Sequence, residues 1–165
     1  MSLVELSQLL YDSDLGTALR ESIYAFPLIE GVHLIGLSLS VGLLFFIDLR
    51  LLGWFLPNVR VEVLFNPLRP IILVGFFLTF ITGIVLFAAS ATKIITLDVF
   101  FYKLIFIALA GVNAAWFELK WGRKLETWGG DVVLPQGVKF AGAASLFLWS
   151  LVVITGRLIP YLSYE

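Results

Sequence analysis

Two side chains that could do chemistry lie three residues apart in an apolar stretch, residues 29–53. They are Glu30 and His33, and His33 is the only histidine of the chain. Residues at i and i+3 lie on neighbouring parts of one helix face, so the carboxylate can orient the imidazole and fix its tautomer. Such a pair suits a metal ligand or a proton relay. Ionisable groups are costly inside a membrane, so there they indicate a functional site.

Further polar residues are predicted to meet this pair inside a bundle of helices. Lys103 and Arg157 fall at a similar depth on two other helices, and Thr82 lies somewhat deeper. Asn113 shares a broad helix face with Lys103. The candidate site is therefore Glu30, His33, Thr82, Lys103, Asn113 and Arg157. A structural alternative stays open, in which the two cations reach the headgroups, Glu30 pairs with one of them and His33 bonds a carbonyl.

A second charged pair, Asp48 and Arg50, lies at the other end of the first helix. For these two residues we expect a salt bridge or an anchor at the membrane interface.

The composition places the chain in a membrane. Of its 165 residues, 60% are hydrophobic and only 14% are charged, which is more apolar surface than a soluble domain of this length can bury. The net charge of -1 predicts no nucleic-acid partner. The chain has no cysteine and one methionine, Met1, which argues against thiolate metal sites, iron–sulfur clusters and copper(I).

Four apolar stretches are each long enough to cross a bilayer, and they predict an all-α, up-down four-helix bundle. They cover residues 24–55, 70–90, 99–119 and 138–158. Residues 1–23 alternate apolar and acidic side chains, which predicts a short amphipathic segment with a helix capped by Asp12 or Ser13. The chain thus divides into this segment and a membrane domain over residues 24–165.

Small residues mark the helix faces that can approach closely in lipid. The first stretch offers two such pairs, Gly36 with Ser40 and Ser38 with Gly42, and the second offers Gly75, Thr79 and Gly83, spaced by four. The small residues of the third and fourth stretches are Ala110, Ala114, Gly142, Ala143 and Ser150.

Lysine and arginine set the expected orientation. Seven of them flank the loops after the first and third stretches, and four lie on the opposite side. Both termini are therefore predicted to be periplasmic in a bacterial inner membrane. The lipid bilayer is the expected environment, and a homo-oligomer or a larger membrane complex is the expected assembly.

Several short motifs resemble known membrane families. "HLIG", "DLRLLG", "TGIVLF", "YKLIFIALAGVNAAWF" and a closing "GR" resemble an uncharacterised bacterial family of small four-span proteins. The histidine of the first stretch and the Lys and Asn of the third are also similar to those of CopD-type copper-resistance proteins and HemJ-type, haem-linked protoporphyrinogen oxidases. The HemJ-type resemblance implies His33 as a haem or substrate ligand and Lys103 as an essential partner. The CopD-type resemblance implies copper, from which this chain departs by lacking Met and Cys in its apolar stretches.

Three functions remain open at this point. The first is a redox protein that binds b-type haem through His33, with a quinone held by His33 and Lys103 as its variant. The second is a non-enzymatic scaffold or assembly subunit of a larger complex. The third is a small transporter or proton path through Glu30 and His33. No nucleophile motif, phosphate loop or paired carboxylates are visible, so the sequence leaves enzymatic activity undecided.

Overall fold

Four long helices dominate the computed structural model, which describes residues 2–130 and 134–163. The first span (Ala25–Leu52) consists of α3 (Ala25–Leu37), a π-helical turn (Ser38–Gly42) and α4 (Leu43–Leu52). The second span is α5 (Val61–Ile94), the third is α6 (Asp98–Lys120) and the fourth is α7 (Gln136–Leu162). Each is long and apolar enough to cross a membrane, as in a multi-pass membrane protein. The described residues contain no strand, so the all-α prediction is confirmed.

Two short helices precede the spans and lie against the second one. They are α1 (Leu3–Tyr11) and α2 (Asp14–Glu21). Of the two predicted caps of α2, Ser13 is the one used, because its side chain accepts a hydrogen bond from the Gly16 amide. Met1 and Glu165, the outer ends of the predicted two-part division, lie outside the described residues.

The second span begins nine residues earlier than the sequence predicts. The predicted start is residue 70, whereas α5 begins at Val61 and contains Pro67 and Pro70, although prolines usually break helices. Membrane helices tolerate such prolines because neighbouring groups satisfy the freed backbone. Near the other end, Ser90 has φ -135° and ψ 20°, and the helix is kinked there.

Backbone contact between the first two spans depends on glycine. A Cβ placed on Gly75 would lie 2.6 Å from the Ser40 nitrogen, and one on Gly36 would lie 2.7 Å from the Thr79 hydroxyl oxygen. Of the two small-residue pairs predicted for the first span, Gly36 and Ser40 therefore face the second span, whereas nothing lies within 4 Å of a Cβ on Gly42. Ser40 is fully buried at this crossing and donates to the Gly36 carbonyl.

The spans pack in the order second, first, fourth, third. The first span contacts the second along its length but reaches the fourth mainly through α4. The backbones of the second and third spans hardly touch. Side chains bridge that gap, by rings stacked at 5.2 Å (Phe87 and Phe100) and by an ion pair of 2.5 Å (Arg69 and Glu118).

Candidate functional site

The imidazole of His33 is held by the second span. Its Nδ1 lies 2.9 Å from the Thr82 hydroxyl oxygen, and that hydroxyl lies 2.6 Å from the Leu78 carbonyl. A hydroxyl has one proton and a carbonyl only accepts, so the Thr82 hydroxyl donates to Leu78 and accepts from His33. This network assigns the imidazole proton to Nδ1 and leaves the lone pair on Nε2 available.

A glycine of the second span makes room for the ring. A Cβ placed on Gly83 would lie 3.3 Å from Cε1 of His33, which is closer than ordinary contact. Thr82 and Gly83 thus hold the half-buried imidazole from two adjacent positions, one by a hydrogen bond and one by its missing side chain. Together they fix the orientation of the ring.

Lys103 approaches the same site from the third span. Its side chain lies across Gly156 of the fourth span, where an added Cβ would be 3.4 Å from Cε and 3.5 Å from Nζ. Lys103 and Glu30 are both close enough to His33 to act on it electrostatically. Within residues 2–130 and 134–163, Lys103 forms neither a hydrogen bond nor an ion pair. A half-buried ammonium group without a fixed partner is suited to hold an anionic or carbonyl oxygen.

Two predicted site residues lie elsewhere. Arg157 is exposed on the fourth span, and its guanidinium donates to the Tyr161 hydroxyl at 2.9 Å and lies over the Tyr161 ring. Asn113 lies in the other half of the bundle, where its Nδ2 donates to the Ala141 carbonyl at 3.0 Å. The structure therefore brings together Glu30, His33, Thr82 and Lys103, and leaves Arg157 and Asn113 outside this group.

The other half of the bundle contains a cavity of about 340 Å³ that the sequence does not predict. Asp48 lines it from the first span with only 3% of its surface exposed, and its Oδ2 has no hydrogen-bond partner. Asn113 from the third span and Ser145 from the fourth also line it. Asp48 was expected in a salt bridge or as an anchor at the membrane interface, whereas it is buried and forms no salt bridge with any described residue. Arg50 is buried too, and its Nε donates to the Val59 carbonyl of the following loop at 2.5 Å.

The described residues hold no group of three or more His, Asp or Glu side chains that could bind a bare metal ion. A metal at His33 would therefore need most of its ligands from a group such as a porphyrin.

Comparison with known proteins identifies a family but no function. Residues 9–162 match DUF6644, a family of unknown function. No curated protein and no solved structure matches the chain.

Proposed function

Because the chain belongs to the family of unknown function DUF6644, its activity must be inferred from its own residues, and we propose that it binds a b-type haem at His33. The observation that carries this proposal is the hydrogen bond of 2.9 Å between His33 Nδ1 and Thr82. Haem-ligating histidines are oriented by a bond on the second ring nitrogen, and here that bond leaves Nε2 for the iron. A haem bound at this position would supply one-electron transfer.

Each chain offers one side chain that could serve as a ligand of haem iron. His33 is the only histidine, and the chain has no cysteine and no internal methionine. The iron would be five-coordinate, or it would take His33 of a second copy as its sixth ligand. Lys103 is the cation at this depth that is free to hold a propionate, whereas Arg157 is engaged with Tyr161. Glu30 acts on the imidazole of His33 and not on the porphyrin, because a carboxylate repels the propionates of a porphyrin.

The proposal is tested by the visible absorption spectrum of detergent-purified protein from haem-supplied cells. We expect a Soret band that sharpens and shifts on reduction. A colourless preparation would contradict the proposal.

Lys103 and Arg157 form a matched pair of variants for this test. Lys103→Met should weaken haem retention at least tenfold, since a hydrogen bond to a charged group contributes about 1.5–3 kcal/mol. Arg157→Met removes the same charge from an exposed side chain and should leave retention near the wild-type value. The rate at which haem transfers to added apomyoglobin, followed by absorbance, measures haem retention in both variants. Equal haem loss from the two variants would contradict the proposal that Lys103 holds a propionate.

A quinone is the second candidate for the same site. It is favoured by the weak contact between the second and third spans, which near the site depends on the stacked rings of Phe87 and Phe100. Movement of these rings would let a lipid-soluble ring enter sideways between the two spans. Lys103 can donate to a quinone carbonyl, and Nε2 of His33 can accept from a quinol hydroxyl. This candidate predicts a colourless purified protein that retains quinone extractable by organic solvent.

We also propose that both termini are periplasmic, in a bacterial inner membrane. The seven-to-four distribution of Lys and Arg supports this orientation. A periplasm-dependent reporter, such as alkaline phosphatase, fused after Glu165 should be active. An inactive alkaline phosphatase fusion paired with a fluorescent cytoplasmic reporter at the same position would reverse the orientation and move His33 to the cytoplasmic leaflet.

A further inference from the structure

The cavity around Asp48 contains a buried carboxyl group that forms no ion pair with any described residue. Asp48 is buried, and its Oδ2 lacks a hydrogen-bond partner. Arg69, the arginine on the cavity wall, is bound to Glu118 at 2.5 Å. Removing one partner of a buried ion pair is strongly destabilising, because an isolated buried charge is poorly solvated. A carboxylate in this position is stabilised when a cation enters the cavity.

The remaining walls define what kind of cation fits. They are mostly apolar, and they include the rings of Phe65, Phe76, Phe117 and Trp149. Phe76 and Trp149 pack together at 4.9 Å between ring centres. Aromatic faces attract quaternary ammonium groups and other organic cations. A volume of about 340 Å³ is far larger than a single metal ion needs, and the walls offer such an ion few oxygen ligands.

We propose that this cavity, which we call the Asp48 cavity, binds a lipophilic organic cation, with the ammonium group beside Asp48 and the apolar body against the aromatic walls. Asn113 contributes a side-chain oxygen, since its amide nitrogen is occupied by the Ala141 carbonyl. Ser145 lies beside the carboxylate from the fourth span. The site is independent of His33, because the cavity lies among residues of α4 and the adjoining halves of the other spans.

The probe for this proposal is benzyltrimethylammonium, titrated into the full-length purified protein in a calorimeter. Neopentylbenzene, which has nearly the same shape and no charge, is the matched control ligand. Wild-type protein should bind the cation saturably and bind the neutral compound at least tenfold more weakly, a difference of about 1.4 kcal/mol. Because this comparison uses wild-type protein, it does not depend on the folding of a variant.

Asp48→Asn keeps the shape of the side chain and should lower affinity for the cation at least tenfold. Glu126→Gln removes the same charge at an exposed position outside the cavity and should have no effect. The proposal is overturned by any of three results: no saturable binding of the cation, equal binding of neopentylbenzene, or unchanged affinity in Asp48→Asn. Asp48→Asn should keep the visible spectrum of the wild type, so this proposal and the haem proposal fail independently.

Discussion

Replacing His33 by alanine is expected to remove the Soret band completely. The chain has no other histidine, no cysteine and no internal methionine, so no other such ligand is available to the iron. Thr82 remains in this variant, and its hydroxyl, which donates to the Leu78 carbonyl, does not replace an imidazole as an axial ligand. Absorbance at the Soret maximum, normalised to protein concentration, measures the effect.

Rescue by free imidazole separates loss of the ligand from loss of the fold. His33→Gly leaves a space in which Thr82 can hold an added imidazole, since its hydroxyl still accepts a hydrogen bond there. Millimolar imidazole should restore the band in His33→Gly purified with added haem. A His33→Ala protein that keeps the wild-type spectrum would exclude His33 as the ligand.

Gly75→Ala is expected to cause the largest loss of stability among single-methyl additions. Its Cβ would lie 2.6 Å from the Ser40 nitrogen and 2.8 Å from the Leu39 carbonyl carbon, which are backbone atoms that cannot rotate away. The first and second spans must then move apart. Overpacking of this kind costs roughly 1–3 kcal/mol of unfolding free energy. The displacement should also weaken the His33–Thr82 bond, because it joins the same two spans.

Gly111→Ala is the matched control for this prediction. Nothing lies within 4 Å of a Cβ on Gly111, and alanine favours a helix over glycine by about 1 kcal/mol. Thermal unfolding in detergent should show a lower midpoint for Gly75→Ala and an equal or higher one for Gly111→Ala. Equal midpoints for the two variants would contradict the backbone contact at Gly75.

The four spans and the candidate contact faces of the first two spans could be predicted from the sequence for physical reasons. Twenty apolar residues have few alternatives to a membrane helix, and small residues such as Gly36 and Gly75 mark where backbones can approach. Thr82 was recognised as a site residue because it is polar and at a similar depth to His33. The tautomer was not predictable, since it depends on a second hydrogen bond from Thr82 to Leu78.

The order in which the four spans pack does not follow from the sequence. Short loops require only that successive helices run antiparallel, and they do not determine which helices touch. The Asp48 cavity depends on that order and on residues such as Phe65 and Arg69, which precede the predicted start of the second span. Asn113 shares a helix face with Lys103, and Arg157 was predicted at a similar depth, but their partners Ala141 and Tyr161 hold them elsewhere. Helical periodicity predicts the face on which a residue lies, whereas hydrogen-bond partners determine where its side chain is held.

The central claim is that Nε2 of His33 ligates haem iron, and its most direct test uses the fact that the chain has a single histidine. Growth with ¹⁵N-histidine labels His33 alone and leaves the porphyrin nitrogens as ¹⁴N. Pulsed electron paramagnetic resonance of the oxidised protein should show hyperfine coupling from one directly coordinated ¹⁵N nucleus per chain. A preparation without haem iron, or identical spectra from labelled and unlabelled protein, would contradict the account.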